Sequence, residues 1–184
     1  APPPSLLLRA SLLLPVSGPP LEGGALRVLG GRIAALGRAS DLPPRGGEEV
    51  IDLPPGTALL PGLVNAHTHL ELGGLSLSPE PFLEWVPRVM AARPELDLAS
   101  GAAHSAALLA ADGTTTVGDF ATTEDAVEVL AAAGLRGTVF REFTGSDPWD
   151  RVEAFPLGPC PPGIRRGLAP HAPYSVGESR MRAA

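Results

Sequence analysis

Lysine is absent from the sequence: all fourteen basic residues are arginine, and only Arg165 and Arg166 stand side by side. The net charge is −6. A protein that tracks phosphates gathers its positive charge on one face, so this scatter argues against a nucleic acid partner. With 22 glycines and 22 prolines beside it, the missing lysine reads as compositional bias of the source genome and carries no functional meaning. Cysteine is reduced to Cys160, which excludes an intrachain disulfide. Also lacking is any uninterrupted apolar run near the roughly 18 residues that a membrane helix needs. With 44% hydrophobic and 18% charged residues, the 184-residue chain has the composition of a globular protein that can bury a core. The stretch SLLLRASLLLP (5–15) has the apolar character of an export signal, but Arg9 interrupts it, no basic segment precedes it and no small-x-small site follows. A strand is expected there, and the cytoplasm is the expected compartment.

Up to about residue 60 short apolar runs alternate with turn residues. ALRVLGGRIAALG (25–37) places Gly30 and Gly31 between two short strands, a spacing that suits a two-residue hairpin with positive φ at both turn positions. VIDLPPGTALL (50–60) continues the style, and residues 1–60 are expected to form a small N-terminal β-sandwich module. From residue 61 to 184 the rhythm becomes strand, helix, strand. LVNAH (63–67) reads as a short buried strand, DLASGAAHSAALLAADG (97–113) as a helix stopped by Gly113, and TTTVGDF (114–120) as the next strand. TTEDAVEVLAAAG (122–134) reads as a helix with Thr122 as N-cap, LRGTVFREF (135–143) as a strand, and IRRGLAPH (164–171) as a fourth strand after a Pro-rich loop. Such alternation implies parallel strands with helical crossovers, in a doubly wound sheet or a (β/α) barrel.

The strand ends favour the barrel. Read from N to C, the four strands finish at His67 and His69, Asp119, Glu142 and His171. Barrel enzymes assemble their sites from the C-terminal ends of several strands, whereas open sheets concentrate a site at one switch point. The expected class is therefore α/β, the first half of a TIM-type (β/α)8 barrel behind a β module.

His67 and His69 are two apart, so on a strand both imidazoles project from one face with Thr68 opposite. Neutral imidazole nitrogen suits Zn²⁺, with Fe²⁺ as the alternative, and a catalytic zinc site keeps one position open for water. Read from the residues alone, His171 would be the third ligand. His104, inside an alanine-rich helix and away from any strand end, is expected to have no chemical role. Cys160, flanked by prolines, has no histidine partner to activate it as a nucleophile.

PGLVNAHTHLEL (61–72) resembles the first-strand motif of the amidohydrolase superfamily, in its branch of nucleoside deaminases and chlorohydrolases. The β module ending in VIDLPPGTALLPG, then FLEWV, DGTTTVGDF and GLAPHAPYSVGESRM, follow in that family's order. The resemblance implies His67 and His69 as metal ligands and His171 as a residue that reaches the substrate and does not ligate. It implies a substrate contact from the third strand. Arg141 there is similar to adenosylhomocysteine-type deaminases, and Glu142 to aminodeoxyfutalosine deaminases. Because adjacent strand residues face opposite ways, one of the two can point inward, and Glu142 is preferred over Arg141. Glu84 and Trp85 fall where the family places a helix over the barrel mouth, so Trp85 either stacks on a purine-like ring or packs in the core. Asp119 either touches the ligand shell or bonds amides at the start of the next helix, the latter being preferred.

The activity so implied is hydrolytic deamination of a small 6-aminopurine nucleoside-like substrate by metal-bound hydroxide, with aminodeoxyfutalosine favoured. The alternatives are guanine, triazine or cyclic amide hydrolysis, or a non-catalytic half-barrel. A closed barrel takes about 250 residues, about twice the length of the stretch after the β module. By the same resemblance, the remaining ligands and the proton-shuttling carboxylate are expected beyond Ala184, with no catalytic residue inside the chain. The chain alone is expected to be inactive, completed by a C-terminal half or by homo-oligomerisation.

Overall fold

The computed structural model describes residues 5–76 and 78–183, and the chain divides into two compact units at Pro61/Gly62. The first unit contains β1 (Ser5–Leu13), β2 (Leu21–Leu29), β3 (Arg32–Arg38), β4 (Glu49–Asp52) and β5 (Ala58–Leu59). β1, β2 and β3 form an antiparallel meander, and the β2–β3 turn is made by Gly30 and Gly31 at φ of 57° and 75°. A side chain resists that left-handed region, which is why two glycines hold the turn. The other edge of β1 is shared: Leu6–Arg9 pair in parallel with β4, and Leu12–Leu13 with β5. The described residues of this unit form one five-stranded sheet, in the order β3-β2-β1-β4 with β5 also on β1.

Inside this unit Arg27 is buried. Its guanidinium donates to Glu48 (Nε to Oε1 2.7 Å, Nη2 to Oε2 3.0 Å) and to the Pro43 carbonyl at 2.7 Å. Glu48 also accepts from the Ser5 hydroxyl and the Arg45 amide, so its charge is fully solvated by the protein. The hydrogen bonds from Arg27 hold the Glu48 carboxyl at about 2, below an ordinary value of 4.5, against the opposing effect of burial.

The second unit carries β6 (Leu63–Thr68), β7 (Thr114–Ala121), β8 (Arg136–Phe143) and β9 (Ile164–Pro170) in one parallel sheet, in sequence order β6-β7-β8-β9. Between them run α1 (Phe82–Ala92), α2 (Leu98–Ala111), α3 (Ala126–Ala132) and α4 (Trp149–Ala154), and α5 (Glu178–Ala183) follows β9. Four parallel strands in chain order with intervening helices are half of a (β/α)8 barrel. Alternate residues of the strands turn towards the helices: Val117, Ala121, Val139 and Ile164 pack with Ala102, Ala106 and Leu130 into one buried cluster. Each large side chain buried there contributes roughly 1.5–3 kcal/mol.

β6 pairs with β7 and lies at the edge of these four strands, where Leu63 is 49% and Val64 67% exposed. The helix after β7 differs from expectation. Its N-cap is Asp125, not Thr122, and no side chain makes the capping bond. Thr122 is held elsewhere, by Glu71.

Candidate active site and metal-ligand pair

β6 ends at Thr68, and His69 opens a single turn of 3-10 helix, Leu70–Leu72. The turn is pressed against α2 at two glycines. A Cβ on Gly101 would lie 2.8 Å from the Glu71 carbonyl, and one on Gly73 would lie 2.4 Å from the Gly101 carbonyl. Both positions therefore need glycine, and the tight approach fixes the segment that carries His69 and Glu71.

His67 and His69 both lie beside Phe120, on the side of the sheet opposite the helix-packed Val117 and Ala121. Their ring centroids are 5.4 Å apart and nearly perpendicular, at 71°. His67 stacks on Phe120 of β7 (4.2 Å, 25°), and Phe120 stacks on Phe140 of β8 (5.0 Å, 22°). Neither imidazole donates to or accepts from a protein group among the described residues, so the ring nitrogens are uncommitted. Two neutral imidazoles with free lone pairs suit a borderline-soft divalent cation. They fit as two ligands of such a site; no third histidine, cysteine or carboxylate joins them among the described residues.

Asp119 lies on the other face of β7, fully buried. Instead of the amides that open α3, its Oδ1 takes the Leu70 amide at 2.9 Å, directly after His69. Its Oδ2 has no partner among the described residues. Burial pushes this carboxyl up to about 6, with the Leu70 amide opposing and nearby Glu71 adding to the rise.

A cavity of about 230 Å³ opens at the C-terminal edge of the strands. Its polar wall is His69, Glu71, Arg93, Thr122, Glu142 and His171, and its apolar wall comes from Leu72 and from α1: Phe82, Trp85, Val86, Val89 and Met90. Trp85 is half-buried and lies beside Phe82, ring centroids 6.4 Å apart. Glu84 is exposed. Four of the residues singled out in the sequence thus share one cavity: His69, Trp85, Glu142 and His171. Arg141 does not line it; its guanidinium sits 4.0 Å from Asp147. His104 and Cys160 are exposed and do not line the cavity.

Glu71 was not anticipated. It is buried and accepts from Arg93 Nη2 at 2.5 Å, the Thr122 hydroxyl at 2.8 Å, and the amides of Thr122 and Thr123 at 3.1 and 3.3 Å. Arg93 also donates to the Thr122 hydroxyl. One carboxylate thereby ties together the turn after His69, the end of α1 and the loop after β7. Its only signal in the sequence is a charge between two leucines, Leu70 and Leu72.

The Amidohydrolase family profile matches residues 58–184, more than half the chain. The chain belongs to the amidohydrolase family. Among curated amidohydrolase relatives, the aminodeoxyfutalosine deaminase of Deinococcus radiodurans is 30% identical over 196 residues, spanning 96% of this chain and 44% of that protein. The 5-methylthioadenosine/S-adenosylhomocysteine deaminase of Syntrophobacter fumaroxidans is 32% identical over 192 residues, 92% of this chain and 43% of that protein. Among solved structures, an adenosine deaminase from Xanthomonas campestris with bound zinc superposes with a TM-score of 0.77 at 25% identity, over 100% of this chain and 48% of that one. Helicobacter pylori aminofutalosine deaminase in complex with methylthio-coformycin gives a TM-score of 0.81 at 23% identity, over 94% of this chain and 45% of that one, which shows the shared fold. This amidohydrolase chain spans less than half the length of the relatives it matches.

Proposed function

We propose that this amidohydrolase takes part in the hydrolytic deamination of a 6-aminopurine nucleoside-like substrate, with aminodeoxyfutalosine as the favoured one. The observation that carries this reading is the single cavity in which a first-strand histidine, Glu142, His171 and the Trp85 ring meet. The relative named for aminodeoxyfutalosine deamination supports the choice of substrate.

His67 and His69 would hold a Zn²⁺ ion, with Fe²⁺ as the alternative. A bound divalent cation supplies Lewis acidity that lowers the pKa of water towards 7. The chain's own residues do the rest of what is assigned to them. Trp85 and its apolar neighbours on α1 offer a flat, dry wall for a heteroaromatic ring. Glu142 accepts a hydrogen bond from a hydroxyl or amino group of the ligand, and His171 orients the ring from the fourth strand. Arg141 serves the Asp147 side of its strand and is not given a substrate contact. The ligand is a small molecule.

Ammonia release by the native protein, assayed across aminodeoxyfutalosine, adenosylhomocysteine, methylthioadenosine, guanine and an s-triazine, tests the reading. Fastest turnover of aminodeoxyfutalosine, lost in Glu142→Gln, is expected. Preference for guanine or the triazine would replace this reading with another hydrolysis of the same family.

A further inference from the structure

His171 follows the last residue of β9 and lines the cavity, and its Nδ1 lies 2.8 Å from the Ser175 hydroxyl. Either atom of that pair can donate, and the choice decides what His171 presents on its other nitrogen. The Ser175 hydroxyl has one proton and two acceptors in reach, His171 Nδ1 and the Ala172 carbonyl at 3.1 Å. The carbonyl is already served. It accepts from the Ser175 amide at 3.0 Å and from the Val176 amide at 3.0 Å, one for each lone pair. A third donor to that carbonyl would be redundant, and the 2.8 Å contact to Nδ1 is the shorter of the two open to the hydroxyl.

We propose that Ser175 is a positioning residue that donates to His171 Nδ1 and thereby fixes the neutral imidazole with its proton on Nε2. His171 then enters the cavity as a hydrogen-bond donor. Its ligand partner is an acceptor, of which the lone pair of a heteroaromatic ring nitrogen is the type that suits a cavity walled by Trp85 and facing the acceptor Glu142. An Nε2 that carries a proton has no lone pair for a cation, so the same hydrogen bond disfavours His171 as a third ligand beside His67 and His69. The tautomer rests on local geometry; the ligand's chemistry rests on the function proposed above.

Side-chain ¹⁵N spectra of the full chain in mildly alkaline buffer test the tautomer, with His171→Gln assigning the resonance. Wild type should show a pyridine-type Nδ1 and a pyrrole-type Nε2. Ser175→Ala should shift His171 towards a mixture of tautomers, and Ser175→Thr should restore the wild-type pattern. A pyrrole-type Nδ1 in wild type, or an unchanged His171 in Ser175→Ala, would overturn the proposal. Zinc added to wild type should move the His67 and His69 signals and leave the His171 Nε2 proton in place; its loss would also overturn it. Purine riboside, which has no amino group to lose, should perturb Hε2 of His171 and bind roughly two- to tenfold more weakly to Ser175→Ala, as expected for one neutral hydrogen bond. The stated tautomer without any purine riboside binding would sink the nucleoside reading and leave the assignment of Ser175 standing.

Discussion

Each compact unit buries a glutamate that is paired with an arginine, and the two pairs differ in what they hold. Arg27 and Glu48 are sealed, with side chains 3% and 1% exposed, and every partner they have is structural. Glu71 is equally buried, but its partner Arg93 is 27% exposed and forms part of the cavity wall. The first pair pins β2 to the segment before β4. The second pins the turn after the histidine-bearing strand to the helix that walls the cavity. A buried ion pair by itself says little about stability or function, because desolvation offsets much of the attraction. Which elements it joins decides its meaning.

That contrast can be broken in order of expected effect. Glu48→Ala should produce the largest loss, because it strands Arg27 and removes acceptors from Ser5 and the Arg45 amide at once. The melting transition of residues 5–61, followed by hydrogen exchange, should collapse while the parallel sheet stays protected. Glu71→Ala should cost less, about 1–3 kcal/mol, because Arg93 is partly exposed and the main loss is the acceptor of the Thr122 and Thr123 donors. Its signature is local: faster exchange at residues 69–74, 82–95 and 122–123, with the first unit unchanged.

Acidity separates the two units further. Glu48 is held at about 2, well below an ordinary carboxyl, so the unfolded chain takes up its proton first. Its contribution is complete above about pH 4.5 and fades as pH falls towards 2. Asp119 is opposite in sign. Held at about 6 by burial, it keeps its proton to higher pH in the folded state than in the unfolded chain, so the second unit loses stability as pH rises from 3.8 through 6. Urea titrations in the presence of a chelator should show both slopes, and Asp119→Asn should flatten the second. At the small end, His104→Gln and Cys160→Ser should change stability by less than about 0.5 kcal/mol, since both sites are exposed.

Much of the sheet and part of the site were legible in the sequence because each depends on short spacing. A two-residue interval set both histidines on one face, and strand-end positions carried Glu142 and His171 to one edge. Gly30 and Gly31 announced their turn. What was not legible depends on distant contacts. Glu71 reaches Arg93 22 residues away and Thr122 51 residues away, and no local pattern records either. The same long-range bond explains why Thr122 failed as an N-cap: its hydroxyl and amide were already taken.

The central claim is that His67 and His69 are a metal-ligand pair, and zinc titration of the protein against a competing chelator tests it most directly. Affinity should fall at least about tenfold in His67→Ala and in His69→Ala, the scale for disturbing a metal site, and should be unmoved in His104→Gln. Equal zinc affinity in all four proteins would contradict the account.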